Sequence, residues 1–157
     1  MKRYVYVLCL ALLSAAGLSS CSKSSDPAPV SPVIGRWQLN KALLSGFTAP
    51  NTNLNGLGLD LYNNGIFQPY NSQIDIRADK SFLDNYKSGG LVDDVSGTWD
   101  FSNNLLTLKY DDGTTESLNY QQTGSLEELI STKIYDITLP GDSTSTVSGK
   151  FQYVYRK

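Results

Sequence analysis

Histidine is absent from the 157-residue chain, and cysteine occurs only at Cys9 and Cys21. The first absence removes the commonest zinc ligand and the commonest general base together. Cys9 lies inside an apolar leader and Cys21 at a processing site, so the mature fold has no thiol pair to oxidise. Also missing are a Gly-x-Ser-x-Gly elbow, a phosphate-binding loop and a metal-spaced cluster, and with them the usual activated nucleophiles. No enzyme, cofactor or metal centre is expected. Charge of one sign is lacking too: removing Lys2 and Arg3 with the leader leaves 11 of the 13 basic residues against 15 acidic ones, a net charge of −4. No basic face exists to neutralise phosphates, so nucleic acid is excluded as a partner.

What is present begins with a leader. Lys2-Arg3, an apolar run from Tyr4 to Leu18 and then small residues have the build of a secretory signal. About 15 apolar residues at 1.5 Å each give roughly 22 Å of helix, short of a ~30 Å hydrocarbon core. Leu18-Ser19-Ser20-Cys21 resembles the lipobox of bacterial lipoproteins, which implies acylation of Cys21 and attachment to a membrane through its acyl chains. Residues 1–20 are thus expected to be a lipoprotein signal peptide. Residues 21–32 carry the acylated cysteine and a tether, whose three prolines at Pro27, Pro29 and Pro32 keep it extended. Ser22 follows the cysteine where an acidic residue is associated with inner-membrane retention, so the outer membrane is favoured, on its periplasmic or cell-surface side.

Residues 33–157 form the folded domain, which opens on Ile34-Gly35-Arg36-Trp37-Gln38-Leu39, a first strand with Trp37 and Leu39 on one face. From Leu43 to Ser72 the alternation dissolves into Gly, Asn and Pro. The leucines among them, with Ile66 and Phe67, predict a loop that packs on something, such as a barrel mouth. Alternation returns in a hairpin around Asp79-Lys80, and again in Gly97-Thr98-Trp99-Asp100-Phe101, which Ser102-Asn103-Asn104 turns into Leu106, Leu108 and Tyr110. Asp111-Asp112-Gly113 signals a tight hairpin with both central residues at positive φ. Glu116, Leu118 and Tyr120 continue the strand after it. Ser125-Leu126-Glu127-Glu128 has the form of a capping box, with Leu126, Leu129 and Ile130 at helical spacing, so one short helix is expected there. Lys133 to Leu139, and Val147 to Tyr155, close the series as strands. The expected fold is all-β, an antiparallel up-and-down β-barrel of about eight strands with one short helix.

With these residues in view, the chain resembles the lipocalin-like lipoproteins of Bacteroidota-type bacteria. The resemblance rests on Gly35-Arg36-Trp37 opening the first strand after a lipobox, on Gly97-Thr98-Trp99 ahead of Leu105-Leu106-Thr107-Leu108, and on the closing Tyr153-Val154-Tyr155-Arg156-Lys157. It implies that Trp37 closes one end of the barrel beneath an arginine from just beyond the last strand, for which Arg156 is the matching position.

A barrel of eight strands is just wide enough either to fill itself with side chains or to hold one small ligand. Trp37, Phe82, Trp99, Phe101, Phe151, Tyr153 and Tyr155 fall on inward faces and would line an apolar pocket or fill it. The expectation is a binding module for a small apolar or amphipathic molecule. Its alternative is an envelope interaction protein with a filled barrel, docking a protein partner through the Leu54 to Phe67 loop or an exposed sheet edge. Adjacent acids such as Asp93-Asp94 and Asp111-Asp112 point to opposite faces of a strand and read as turn chemistry rather than as a catalytic pair or a calcium site.

Overall fold

Alternating inward and outward residues carry the chain through ten strands in the computed structural model, which describes residues 30–64, 68–141 and 145–157. The expected signal segment, Cys21, most of the expected tether, and Ile66 and Phe67 lie outside the described residues. The strands are β1 (Gly35–Ser45), β2 (Gly58–Leu59), β3 (Tyr70–Ile76), β4 (Ser81–Ser88), β5 (Leu91–Ser102), β6 (Leu105–Tyr110), β7 (Thr115–Thr123), β8 (Leu126–Ser131), β9 (Tyr135–Pro140) and β10 (Thr146–Arg156). All neighbours are antiparallel. The order β1-β3-β4-β5-β6-β7-β8-β10, with β10 pairing back onto β1, closes an eight-stranded barrel that leaves no free edge in the ring. β2 adds to β1 and β9 to the first half of β10, extending the β1–β10 ribbon on both sides.

Three elements differ from the sequence expectation. No helix covers Ser125 to Ile130. This stretch is β8, bonded to β7 on one side and to Val154–Arg156 of β10 on the other. One helical turn would fix three residues for about one hydrogen bond, whereas a strand inside a closed ring satisfies both edges. Among the described residues the sole helical element is a 3-10 turn, Thr52–Leu54. The first strand also does not stop at Leu39 but runs to Ser45. A bulge between Leu39 and Lys41 switches the inward set from Trp37 and Leu39 to Ala42 and Leu44, which breaks the period of two. Finally, Asp111-Asp112-Gly113 is not a turn with two positive φ values. Gly113 alone is left-handed, at φ 87°, and its N–H bonds Tyr110 O at 3.0 Å, giving a type I turn followed by a glycine bulge. The two-residue positive-φ turn belongs instead to Asn103 and Asn104, at φ 51° and 60°.

The closed end is a packed core of Trp37, Ile74, Phe82, Trp99, Leu106, Leu108, Leu118 and Leu129. Val33, fully buried, plugs it and accepts the Trp37 indole N–H at 2.7 Å. A second apolar cluster sits on the β9–β10 ribbon, where Leu44, Phe47, Ile137 and Leu139 gather Leu54, Leu59, Val147 and Phe151. The apolar loop after β1 packs here. Asn55 clamps it, accepting the Phe47 N–H and donating to Phe47 O, both at 2.9 Å, and the Phe47 ring lies over Gly149 where any Cβ would collide with it.

Candidate functional site: a tyrosine and carboxylate chamber

Between the two clusters the inward side chains change character strand by strand. On β4 the sequence Phe82, Asp84, Tyr86 leaves the apolar core for polar residues, and on β6 Leu106 and Leu108 give way to Tyr110. β7 passes from Leu118 to Glu116, β3 from Ile76 and Ile74 through Ser72 to Tyr70, and β10 presents Tyr155 and Tyr153. The result is a chamber of about 350 Å3 lined by six tyrosines, namely Tyr70, Tyr86, Tyr110, Tyr135, Tyr153 and Tyr155. Asp84, Glu116 and Asp112 also line it, and no lysine or arginine does. A second chamber of about 410 Å3 shares Tyr70, Ser88 and Tyr153 with the first and continues onto Leu61, Ile137 and Phe151. The first pocket carries Asp84, Glu116 and Asp112, and the adjoining one is the more apolar, although Gln68, Asp136 and Thr138 also line it.

Ring contacts hold the walls. Tyr153 lies 5.5 Å from Tyr70 and 5.1 Å from Tyr135, Tyr135 stacks on Phe151 at 5.2 Å, and Tyr110 meets Phe82 edge to face at 5.1 Å. Each such pair adds about 0.5–1.5 kcal/mol beyond burial. Asp84, 6 % exposed, accepts the Ser72 hydroxyl at 2.7 Å, and Glu116 accepts the Tyr110 hydroxyl at 3.1 Å. Burial raises the carboxyl pKa of both acids above the ordinary range, against the pull of these two hydrogen bonds. The same desolvation pushes the Tyr153 hydroxyl up to about 12 and those of Tyr70, Tyr110 and Tyr155 well above 10, so all four stay protonated donors at neutral pH.

Of the aromatics singled out in the sequence, Phe151, Tyr153 and Tyr155 face the chambers. Trp37, Phe82, Trp99 and Phe101 lie inward but in or against the closed-end core, away from both chambers. The cation over Trp37 needs a correction. Arg156 faces outward and bonds Glu128 Oε1 through Nε at 2.9 Å and Nη2 at 2.8 Å. Lys157, one residue on and therefore on the inward side, places Nζ 5.1 Å from the Trp37 ring centroid and 3.1 Å from Glu127 Oε2. Asp93 and Asp94 are exposed but, contrary to the turn reading, lie within β5 opposite Tyr86 and Asn85 of β4, whereas Asp112 accepts the Thr114 N–H and hydroxyl at 2.8 and 2.7 Å across its turn. The cavity acids Asp84 and Glu116, and the lining residues Tyr70, Tyr110 and Tyr135, escaped the sequence reading. Their signal was parity with buried neighbours on the same strand. Among the described residues no group of three or more acidic, cysteine or histidine side chains is placed to hold a metal ion.

A family model described as a lipocalin-like domain matches residues 33–143, from the Val33 plug through β9. No curated protein and no solved structure matches the chain.

Proposed function

The chain belongs to the lipocalin-like domain family, and from that premise we propose that it binds a small amphipathic molecule inside its barrel without reacting it. The observation that carries this reading is the pair of adjoining open pockets, one bearing Asp84, Glu116 and Asp112 and one more apolar, beyond the packed core. Each falls within the 300–1,000 Å3 usual for small-molecule sites. This vacancy favours a binding module over a filled interaction domain. The proposal extends to location. A lipobox-like Leu18-Ser19-Ser20-Cys21 ahead of a proline-bearing tether supports an acylated anchor at the outer membrane, with the barrel held a short distance from the lipid.

Native mass spectrometry and solvent extraction of the purified protein test the first part. A co-purifying small molecule, lost in Tyr153→Ala and kept in the outward Ser148→Ala, is the expected result. A clean mass together with no uptake of an apolar fluorophore overturns it. For the anchor, metabolic labelling with a clickable fatty acid should mark the protein and disappear in Cys21→Ser; labelling that persists in this variant refutes the assignment.

A further inference from the structure

Resting on the binding reading above, we propose that the ligand is an organic ammonium ion, its charged head between Asp84 and Glu116 and its apolar body in the chamber toward Ile137 and Phe151. The charge balance of the cavity points this way. Three carboxylates line the polar chamber and no cationic side chain does. Among the described residues neither Asp84 nor Glu116 belongs to an ion pair; their hydrogen-bond donors are the neutral hydroxyls of Ser72 and Tyr110. Among the described residues the one cation that acts on Glu116 is Lys133 at the rim, which forms no ion pair with it, and none acts on Asp84. Burying carboxylates with so little counter-charge is unfavourable. Apolar residues would serve stability better at both positions, so the acids make physical sense if a cation arrives from outside.

The rings complete the site. Tyr70, Tyr135 and Tyr153 form a contiguous aromatic wall, and the negative face of a tyrosine ring attracts an ammonium group. One lining ring already does so at the rim, where exposed Lys133 holds Nζ 4.9 Å from the Tyr135 centroid. An anionic amphiphile such as a fatty acid would meet like charge from Asp84, Glu116 and Asp112 instead. Among the described residues no three ligating side chains gather as a metal site would require, and an organic cation is the ligand whose shape also uses the more apolar chamber.

Calorimetric titration of the protein at neutral pH with three shape-matched probes, phenylbutylamine, phenylbutanol and phenylbutyrate, decides the matter. The amine should bind about ten-fold or more tightly than the alcohol, as one charge-assisted hydrogen bond allows, with the carboxylate weakest. In the combined Asp84→Asn, Glu116→Gln variant, amine and alcohol affinities should come within about two-fold of each other. Tryptophan emission checks its fold, since Trp37 and Trp99 lie in the other half of the barrel. Carboxylate binding as tight as amine binding, or selectivity for the amine that survives in the variant, overturns the inference and leaves the binding reading standing. Uptake of none of the three probes, nor of an apolar fluorophore, overturns both. The comparison in the unmodified protein tests the charge preference even if the variant fails to fold.

Discussion

Replacing Gly97 by alanine adds one methyl group to β5, and its surroundings have no room for it. A Cβ there would collide with the backbone carbonyl oxygen of Lys109 and stand 2.9 Å from a Phe82 ring carbon. Gly97 pairs with Phe82 on one side and with Tyr110 on the other. Because it carries no side chain, those two rings can meet across it at 5.1 Å. A ring can rotate out of the way; a carbonyl in the β5–β6 ladder moves only if the strands part. Over-packing costs about 1–3 kcal/mol where neighbours adjust, and with backbone as the obstacle Gly97→Ala should cost about 3 kcal/mol. For a domain of this size that corresponds to a fall in Tm of about 10 °C. Urea and thermal unfolding followed by the emission of Trp99, two residues along the strand, give the number. The companion experiment puts Phe82→Leu into the same background. If the ring were the obstacle, the second change would restore stability; with the carbonyl as the obstacle the losses accumulate. A Gly97→Ala protein within about 0.5 kcal/mol of the parent, the ordinary spread for surface changes, or rescue by Phe82→Leu, refutes the argument. The effect should reach the site too, because Tyr110 holds Glu116 in the chamber wall.

Burial raises the carboxyl pKa of Asp84 and Glu116, so what these acids contribute to stability is present in full below their unfolded values and is lost as pH rises through the raised folded ones. The Tm of Glu116→Gln or Asp84→Asn relative to the parent should therefore increase from acid to mildly alkaline pH, and a constant or falling difference contradicts this. Lys157→Met should lower stability by about 1 kcal/mol and shift the emission of Trp37, whereas Arg156→Met, which loses only its Glu128 partner, should leave that emission unchanged. Asn55→Ala removes both clamps on Phe47 and should cost about 1–3 kcal/mol locally. Hydrogen exchange should quicken at Phe47 and through the following loop while the amides of β5 to β7 keep their protection.

Where strands alternate and are punctuated by turn residues, the fold is legible. Ile74 and Ile76 against Phe82, Trp99 and Phe101 against Leu106 and Leu108, and the run into Tyr155 all lie on the faces their spacing predicts. Legibility fails where something other than alternation decides. The bulge after Leu39 hides the second half of β1, since Ala42 and Leu44 change parity without any change in the composition of the strand. Leu91 to Asp94 pair with β4 although all four are exposed, so no burial pattern betrays them. In β8, Leu126 and Leu129 have helical spacing by coincidence, and two waiting strand edges outweigh the local capping signal.

The site is harder to see than the fold because its acids are inconspicuous where they stand in the sequence. Asp111-Asp112 attracts attention by adjacency, yet neighbours along an extended chain face opposite ways and cannot converge. Asp84 and Glu116 share one chamber only because β4 and β7 curve toward each other around the ring. Each is legible once face is tracked: Asp84 falls between Phe82 and Tyr86 on the inward side, and Glu116 precedes Leu118 and Tyr120 on theirs. A carboxylate on the inward face of a barrel strand is a local conflict between sequence and core, and such conflicts persist where function needs them. On the proposed reading, Asp84 and Glu116, whose burial is unfavourable when they are charged, mark the ligand's place, and neutralising them should stabilise the empty protein near neutral pH while removing the proposed preference for a cation.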